Sequence, residues 1–279
     1  MRGNRARAEE GQKVELVDID KHTEGTFFRC LHDEVPENPQ MIALRRRWYD
    51  KFKDKGLRAK VLLREDKAVV GLCQYIPIEY SPFQGRDLSA ILCIWVHGYE
   101  HLVGNQQRKG YGKFMLERIE DDARASGAKG VAAWGMDFPY WNPVSFYEHM
   151  GYERVETRKP VVLCWKPMAD DAKPPALVRP VRAPSLVPGK TKVTAFISGW
   201  CGGGCGVCVT AREAVAGLDD LVAYEEIDTS DRAVMRSWGI DDGVYLDDKP
   251  FRPYEPPWTS EELKAAIVKS SRSGAKKPS

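Results

Sequence analysis

Charge of one sign is nearly absent as a surplus: 42 Lys and Arg stand against 40 Asp and Glu, a formal charge of +2 over 279 residues. Without a broad basic field, nucleic acid and anionic membrane surfaces are not expected partners, and function has to come from local sites. No uninterrupted apolar run approaches the ~20 residues of a membrane helix, and the charged stretch from Met1 to Gln12 lacks the apolar core of a secretion signal. The expectation is a cytoplasmic protein with no membrane partner. Self-similarity at the periods of solenoids and propellers is missing too, which excludes those scaffolds. Cysteine is sparse and odd in number, seven in all, and Cys30, Cys73, Cys93 and Cys164 lie scattered in apolar segments. They read as reduced core thiols and not as a disulfide framework.

What is present divides the chain. The prolines between Pro167 and Lys190 forbid a helix and remove donors from any sheet, so a stiff, exposed linker is expected there. Before it, strand-like runs at Lys13–Asp18, Lys60–Arg64, Ala68–Ile78, Ala90–His97, Val131–Met136 and Val161–Trp165 alternate with helical stretches. After it, Val193–Ser198 and Leu221–Asp228 read as strands and Cys208–Leu218 and Arg232–Trp238 as helices. Val244–Leu246 with Phe251 reads as a hairpin. A last helix starts at Thr259, with Glu262 placed to complete a capping box. The expected division is a first domain over 1–168, a linker over 169–190, a second domain over 191–270 and a disordered tail over 271–279. Both domains belong to the α/β (α+β) class, the first with a mixed, mostly antiparallel sheet.

The most informative stretch is Gln106-Gln107-Arg108-Lys109-Gly110-Tyr111-Gly112, after an apolar strand and before an amphipathic helix over Lys113–Ser126. Gly110 and Gly112 let the backbone approach an anion, and the N–H groups of a helix start point partial positive charge at it. Arg108, Lys109 and Lys113 add mobile cations suited to a pyrophosphate. A bare G-x-G also fits an ordinary strand-to-helix turn, so the context decides. The third glycine of a dinucleotide loop and the G-K-[ST] ending of a P-loop are both missing, which removes those readings.

The loop resembles the acyl-CoA signature [QR]-x-x-G-x-[GA] of GNAT acetyltransferases through Gln107, Gly110 and Gly112. Downstream, Asn142 and the run Phe146-Tyr147-Glu148-His149-Met150-Gly151-Tyr152 are similar to that family's FYEKLGF ending. The likeness covers roughly residues 13–168. It implies the GNAT N-acyltransferase fold and transfer of an acetyl group from acetyl-CoA to a primary amine of a small molecule or peptide; the sequence leaves an oligomer open. It further implies that acetyl-CoA is held by Val103, Gln107, Arg108, Lys109, Gly110, Tyr111, Gly112, Lys113 and Asn142. By family position a splayed or bulged strand running from Ile91 toward Gln107 would present a backbone N–H to the thioester oxygen. Tyr147 would protonate the departing thiolate, its alternative being a packed aromatic. His97 and Glu100 stand at the end of that strand as candidates for the base, His97 first; a structural histidine or a bound water are the alternatives. Tyr99, Glu100 and His101 are candidate walls of the acceptor cleft.

The segment Gly199-Trp200-Cys201-Gly202-Gly203-Gly204-Cys205-Gly206-Val207-Cys208 lies between a strand and a helix. That is where thioredoxin-like folds carry their cysteines, and the second domain resembles one. A helix start would lower the thiol pKa in the C-x-x-C formed by Cys205 and Cys208. The proline that thioredoxins place before the following strand is replaced by Asp241-Asp242-Gly243. The C-x3-C-x2-C spacing also suggests an iron–sulfur loop, but the 71 residues after Cys208 are too few for the barrel such enzymes need. Cys201, Cys205 and Cys208 could alternatively hold a thiophilic metal, although zinc would need a fourth ligand. The two-domain arrangement is similar to that of YoaP-like acetyltransferases. The rival readings are a non-catalytic sensor of acyl-CoA and thiol state, and a thiol-based metal binder.

Overall fold

The computed structural model describes residues 6–7, 13–32, 38–139, 142–253 and 258–274. In chain order its elements are β1 (Ala6–Arg7), β2 (Lys13–Asp18), α1 (Glu24–Phe28), α2 (Pro39–Phe52), β3 (Arg58–Arg64), β4 (Val69–Pro77) and β5 (Phe83–Gln84). They continue with β6 (Ser89–Val96), α3 (Tyr111–Ala125), β7 (Gly130–Met136), α4 (Val144–His149), β8 (Glu153–Arg158), β9 (Val161–Pro167) and β10 (Ala176–Leu177). The remainder is β11 (Thr191–Ile197), α5 (Gly202–Val215), β12 (Val222–Asp228), α6 (Arg232–Trp238), β13 (Gly243–Leu246), β14 (Lys249–Pro250) and α7 (Ser260–Gly274). The chain divides into two units, Met1–Asn38 with Tyr49–Leu177, and Pro39–Trp48 with Val178–Ser279.

The first unit is an eight-stranded sheet in the order β1-β2-β3-β4-β6-β7-β9-β8. All neighbours are antiparallel except β6 and β7, as a mixed, mostly antiparallel sheet requires. Both faces of its centre are covered, which is why its strands read as near-continuous apolar runs. Alternate residues serve opposite faces. Ile91, Val131, Ala133, Val162 and Cys164 join the core beneath α3, while Ala90, Ala132, Leu163 and Trp165 join a second core with Ile78, Phe83 and Leu177. Helix α3 buries Tyr111, Phe114, Met115, Leu116, Ile119 and Ala123 on one side. The charged edge strand β8 and the short α1 carry no clean period and were not evident from the sequence.

The proline-rich segment is less free than expected. Ala176 and Leu177 pair with Gln84 and Phe83 of β5, and Leu177 N–H donates to Glu156 Oε2 at 2.9 Å. Val181 N–H donates to the Trp238 carbonyl at 2.8 Å. Proline excludes a helix but leaves an extended chain able to pair at an edge, and that is the route taken here.

The second unit follows the order β-α-β-α-β-β-α, with sheet order β12-β11-β13-β14, β11 parallel to β12 and antiparallel to β13. Residues Cys205, Cys208, Val209 and Ala211 of α5 pack with Val193, Ala195 and Ile197 of β11, Leu263 and Ile267 of α7, and Leu44 of α2. On the opposite face the Phe196 ring meets Trp238 and Tyr245 edge-on at 5.2 and 5.3 Å. Asp231 caps α6 by accepting from the N–H groups of Ala233 and Val234 at 2.8 and 3.1 Å. The capping box of α7 forms as its spacing predicts, Thr259 N–H donating to Glu262 Oε2 at 2.8 Å and Glu262 N–H to Thr259 Oγ1 at 3.2 Å. That helix continues to Gly274, so residues 271–274 are not the disordered tail that composition suggested; 275–279 lie outside the described residues.

One buried charge ties α3 to the sheet. Glu120, 4% exposed, accepts both Lys166 Nζ contacts at 3.0 Å, with Arg124 Nη2 at 3.3 Å. Removing the lysine leaves a buried carboxylate short of donors. Lys166→Met is therefore expected to lower stability by about 2 kcal/mol, and Glu120→Gln in the same chain to recover part of that loss. Urea denaturation of the single and double variants checks this.

Candidate functional site

The site begins where β6 and β7 part. Their parallel pairing is confined to Ser89–Val131 and Ala90–Ala132, after which the strands run on without further pairing. One residue later β6 carries a bulge: its partners on β4 step from Ile91–Tyr75 to Cys93–Gln74, leaving Leu92 as the extra residue. The Leu92 carbonyl instead receives Trp134 Nε1–H from β7 at 2.9 Å, an indole bridge across the opening. Beyond the bulge, His97 N–H donates to the Val70 carbonyl at 3.0 Å. Alternation along an antiparallel strand then turns the N–H and C=O groups of Ile94 and Val96 the other way, toward the opening. Gln107 Nε2 reaches the Val96 carbonyl there, at 3.4 Å.

The loop from β6 into α3 is organised by Gln106, which is 3% exposed. Its N–H donates to the His97 carbonyl at 2.8 Å and its Nε2 to the Gly104 carbonyl at 3.3 Å, with the Val103 carbonyl also in reach. Its Oε1 accepts from Lys109 Nζ at 3.1 Å. Gln107 N–H is fixed by Asn105 Oδ1 at 2.9 Å. Gly110 then adopts φ +77°, a left-handed conformation open to glycine at little cost, and precedes the first turn of α3 without a side-chain cap. Phe114 N–H donates to the Gly110 carbonyl at 2.9 Å and closes the first helical ring. The N–H groups of Tyr111, Gly112 and Lys113 are left outside the helix's own bonding, at the positive end of a 15-residue dipole. Gln107, Arg108, Lys109 and Lys113 are exposed around that end, whereas Tyr111 points into the core at 1% exposure. Val103 is half-buried against the same core.

The remaining candidates fall on two sides of the opening. His97 is 2% exposed, its Nδ1 stands 3.0 Å from the Gly104 carbonyl, and its Nε2 is buried with no hydrogen-bond partner. A carbonyl can only accept, so Nδ1 is the protonated nitrogen of the neutral ring and Nε2 carries the lone pair. His97 meets Tyr99 and His101 edge-on at 5.6 and 6.1 Å, those two stack at 5.3 Å, and His32 tilts against Tyr99 at 5.6 Å. Glu100 is exposed beside them. Across the opening, Tyr147 is 1% exposed, with its hydroxyl 3.5 Å from Asn142 Oδ1. Burial pushes its phenol well above the ordinary value, so it stays protonated. Asn142, at φ +40°, spends its amide on the Trp134 carbonyl at 3.0 Å and its own carbonyl on Met136 N–H at 2.8 Å. It closes the end of β7 and steadies Tyr147. Leu92, Trp134, Gln106 and His32 were missed from the sequence, since each acts through tertiary placement that no local period signals.

In the second unit α5 begins at Gly202, six residues before the expected start, with Cys201 at the preceding cap position. Cys201 is partly exposed, while Cys205 and Cys208 are buried at 2% and 0%. Burial pushes the Cys208 thiol up, opposite to the expected effect of a helix start, and its Sγ–H donates to the Phe196 carbonyl at 3.4 Å. The soft-metal expectation for Cys201, Cys205 and Cys208 is not supported: among the described residues no group of three His, Cys, Asp or Glu is arranged to hold a metal ion. Two of the three thiols are committed to the core. Asp242 stands over the turn they share, so close that a Cβ on Gly204 would lie 2.4 Å from its Oδ2. Trp200 Nε1–H donates to the neighbouring Asp241 Oδ2 at 3.4 Å.

Burial pushes the Asp242 carboxyl up to about 6 despite a hydrogen bond from Ser198. Asp241 is raised further, by burial first and by the Asp242 charge second. A carboxyl whose folded pKa exceeds its unfolded value of about 3.9 binds more protons in the folded state. Its contribution is therefore most favourable below about pH 4 and is lost as pH rises through about 6. Asp242→Asn is expected to flatten the decline in stability across that window; equal slopes for the parent and the variant in urea denaturation at several pH values would contradict it.

Among the described residues no helix is long and apolar enough to cross a membrane. No curated protein matches the chain. Solved structures similar to it include a GNAT-family acetyltransferase from Staphylococcus aureus Mu50, 10% identical over 56% of this chain and 99% of that one, with a TM-score of 0.40. Others are spermidine N-acetyltransferase from Vibrio cholerae in complex with CoA and spermine (16%, 56% and 95%, 0.42) and PaiA N-acetyltransferase from Thermoplasma acidophilum in complex with coenzyme A (13%, 55% and 98%, 0.40). Residues 25–152, a little under half of the chain, match the family model described as the acetyltransferase (GNAT) family.

Proposed function

We propose that the first unit transfers an acetyl group from acetyl-CoA to a primary amine of a small molecule or peptide. The observation that carries this reading is the uncapped start of α3, opening among exposed cations beside the gap between β6 and β7. The N–H groups of 111–113 fit a pyrophosphate, and Arg108, Lys109 and Lys113 supply the countercharge. Gln107 anchors the loop to Val96. The edge N–H groups of Ile94 and Val96 are in position to receive the thioester oxygen as charge develops on it. Acetyl-CoA supplies the activated acyl group. His97 Nε2, its lone pair fixed by the Nδ1 bond to Gly104, takes the proton from the attacking amine. Tyr147, held as a phenol by burial, donates the proton that the leaving thiolate needs. Glu100, Tyr99 and His101 form the exposed wall on the acceptor side. An imidazole with a lone pair at the end of β6 and a phenol kept protonated on α4, beyond β7, support turnover over a purely sensing role.

For the second unit the β-α-β-α-β-β-α order and a cysteine at a helix start after the first strand support a thioredoxin-like reading with a redox role for its thiols. The acyl-transfer reading is tested by release of CoA thiol from acetyl-CoA across a panel of polyamines, amino sugars and peptides. His97→Asn keeps a donor for the Gly104 carbonyl and deletes Nε2. It is expected to lower kcat about 100-fold with the acetyl-CoA KM little changed. An unchanged kcat would remove His97 from the base role.

A further inference from the structure

Acyl transfer makes no use of the thiols of the second unit. We propose that Cys201 and Cys205 form a thiol–disulfide exchange site for low-molecular-weight disulfides, with Cys201 as the attacking thiol and Cys205 as the thiol that closes the intramolecular bridge. This rests on the redox reading of the second unit and departs from it in one respect: the pair is the C-x3-C, not the C-x-x-C of Cys205 and Cys208.

Three observations select this pair. Cys201 is the one thiol of the three that is not buried, and it occupies the cap position of a 14-residue helix whose first turn is Gly202-Gly203-Gly204. The three glycines place no side chain of their own between those N–H groups and its sulfur, and a helix start favours the thiolate that exchange requires. Arg45, 2% exposed, adds a cation one residue away, its Nη2 donating to the Trp200 carbonyl at 3.5 Å. Cys205 lies one helical turn on, its N–H donating to the Cys201 carbonyl at 3.0 Å. One turn sets the two Cα atoms about 6 Å apart, inside the span a disulfide bridges. Cys208 is a further turn away, about 10 Å from Cys201 along the axis, and its thiol is fixed on the Phe196 carbonyl inside the core.

The chemistry balances without a metal or other cofactor. The Cys201 thiolate attacks one sulfur of the substrate disulfide; that S–S bond breaks, a mixed disulfide forms, and the first substrate thiolate leaves and takes a proton. Cys205 then attacks the Cys201 sulfur, giving its proton to the Asp242 carboxylate above Gly204 and releasing the second substrate thiol. The protein dithiol is oxidised by two electrons and the substrate disulfide is reduced by two. A dithiol of the medium reverses the step.

The test uses the full chain, reduced, desalted and treated with oxidised glutathione, then unfolded at low pH and alkylated with N-ethylmaleimide in guanidinium so that every remaining thiol is reached. Trypsin places all three cysteines in one peptide, 193–212, whose fragmentation locates the label. The expected result is a single label on Cys208 and an internal bridge between Cys201 and Cys205. Cys205→Ser is expected to accumulate a glutathione adduct on Cys201, and Cys208→Ser to close the bridge as the parent does. A label on Cys201 with Cys205 bridged to Cys208 would overturn the pairing while leaving a redox role. Three labels after oxidant treatment would overturn the redox reading itself.

Discussion

The first unit depends on one constraint: β6 and β7 run parallel and are paired over only two residues before they separate. Parallel strands need a crossover between them, and here the crossover is α3 with the loop that precedes it. A helix packed across a parted sheet brings its N-terminus to the gap. The edge groups that β6 no longer shares with β7 are left facing the same space. The uncapped N–H groups of α3, the unpaired edge of β6 and the elements that carry His97 and Tyr147 are all arranged around that single parting. The Leu92 bulge and the Trp134 bridge hold it open, and the Glu120–Lys166 pair holds α3 on the sheet behind it.

Much of this was legible in the sequence where the signal is local. The strand over Lys13–Asp18 and the helix over Arg232–Trp238 fall on their expected bounds, and the others begin within two residues of theirs except α5, which starts six residues early. The Gly110 turn was readable because only a residue tolerant of φ +77° sits well before an uncapped helix. What was not legible is long-range. Leu92 looks like any strand residue until the register with β4 shows one too many. Gln106 reads as a polar loop residue, yet it is buried and ties together His97, Val103, Gly104 and Lys109. Leu44 joins the core of the second unit from a helix about 150 residues upstream of its other members, which no reading by contiguous segments anticipates.

The cysteines give the sharper lesson. Spacing put three thiols on one Gly-rich loop and suggested a flexible ligand set. The three glycines instead form the first turn of α5, and that places each sulfur differently: one at the cap, one a turn deeper, one sealed in the core. Burial and the Phe196 carbonyl make Cys208 a structural thiol. Cys201 alone reaches the surface, one turn from the buried Cys205 and beside a buried arginine and two carboxyls raised by desolvation.

The most direct test of the acyl-CoA account is calorimetric titration of acetyl-CoA into the protein and into a Gly110→Asp variant. Aspartate at that position has to hold a left-handed conformation, and it sets a carboxylate beside the N–H groups where it repels phosphate. Saturable binding by the parent and its loss in a folded Gly110→Asp protein is the predicted result. Absence of binding by the parent, or equal binding by both, would contradict the assignment of the α3 start as the pyrophosphate site.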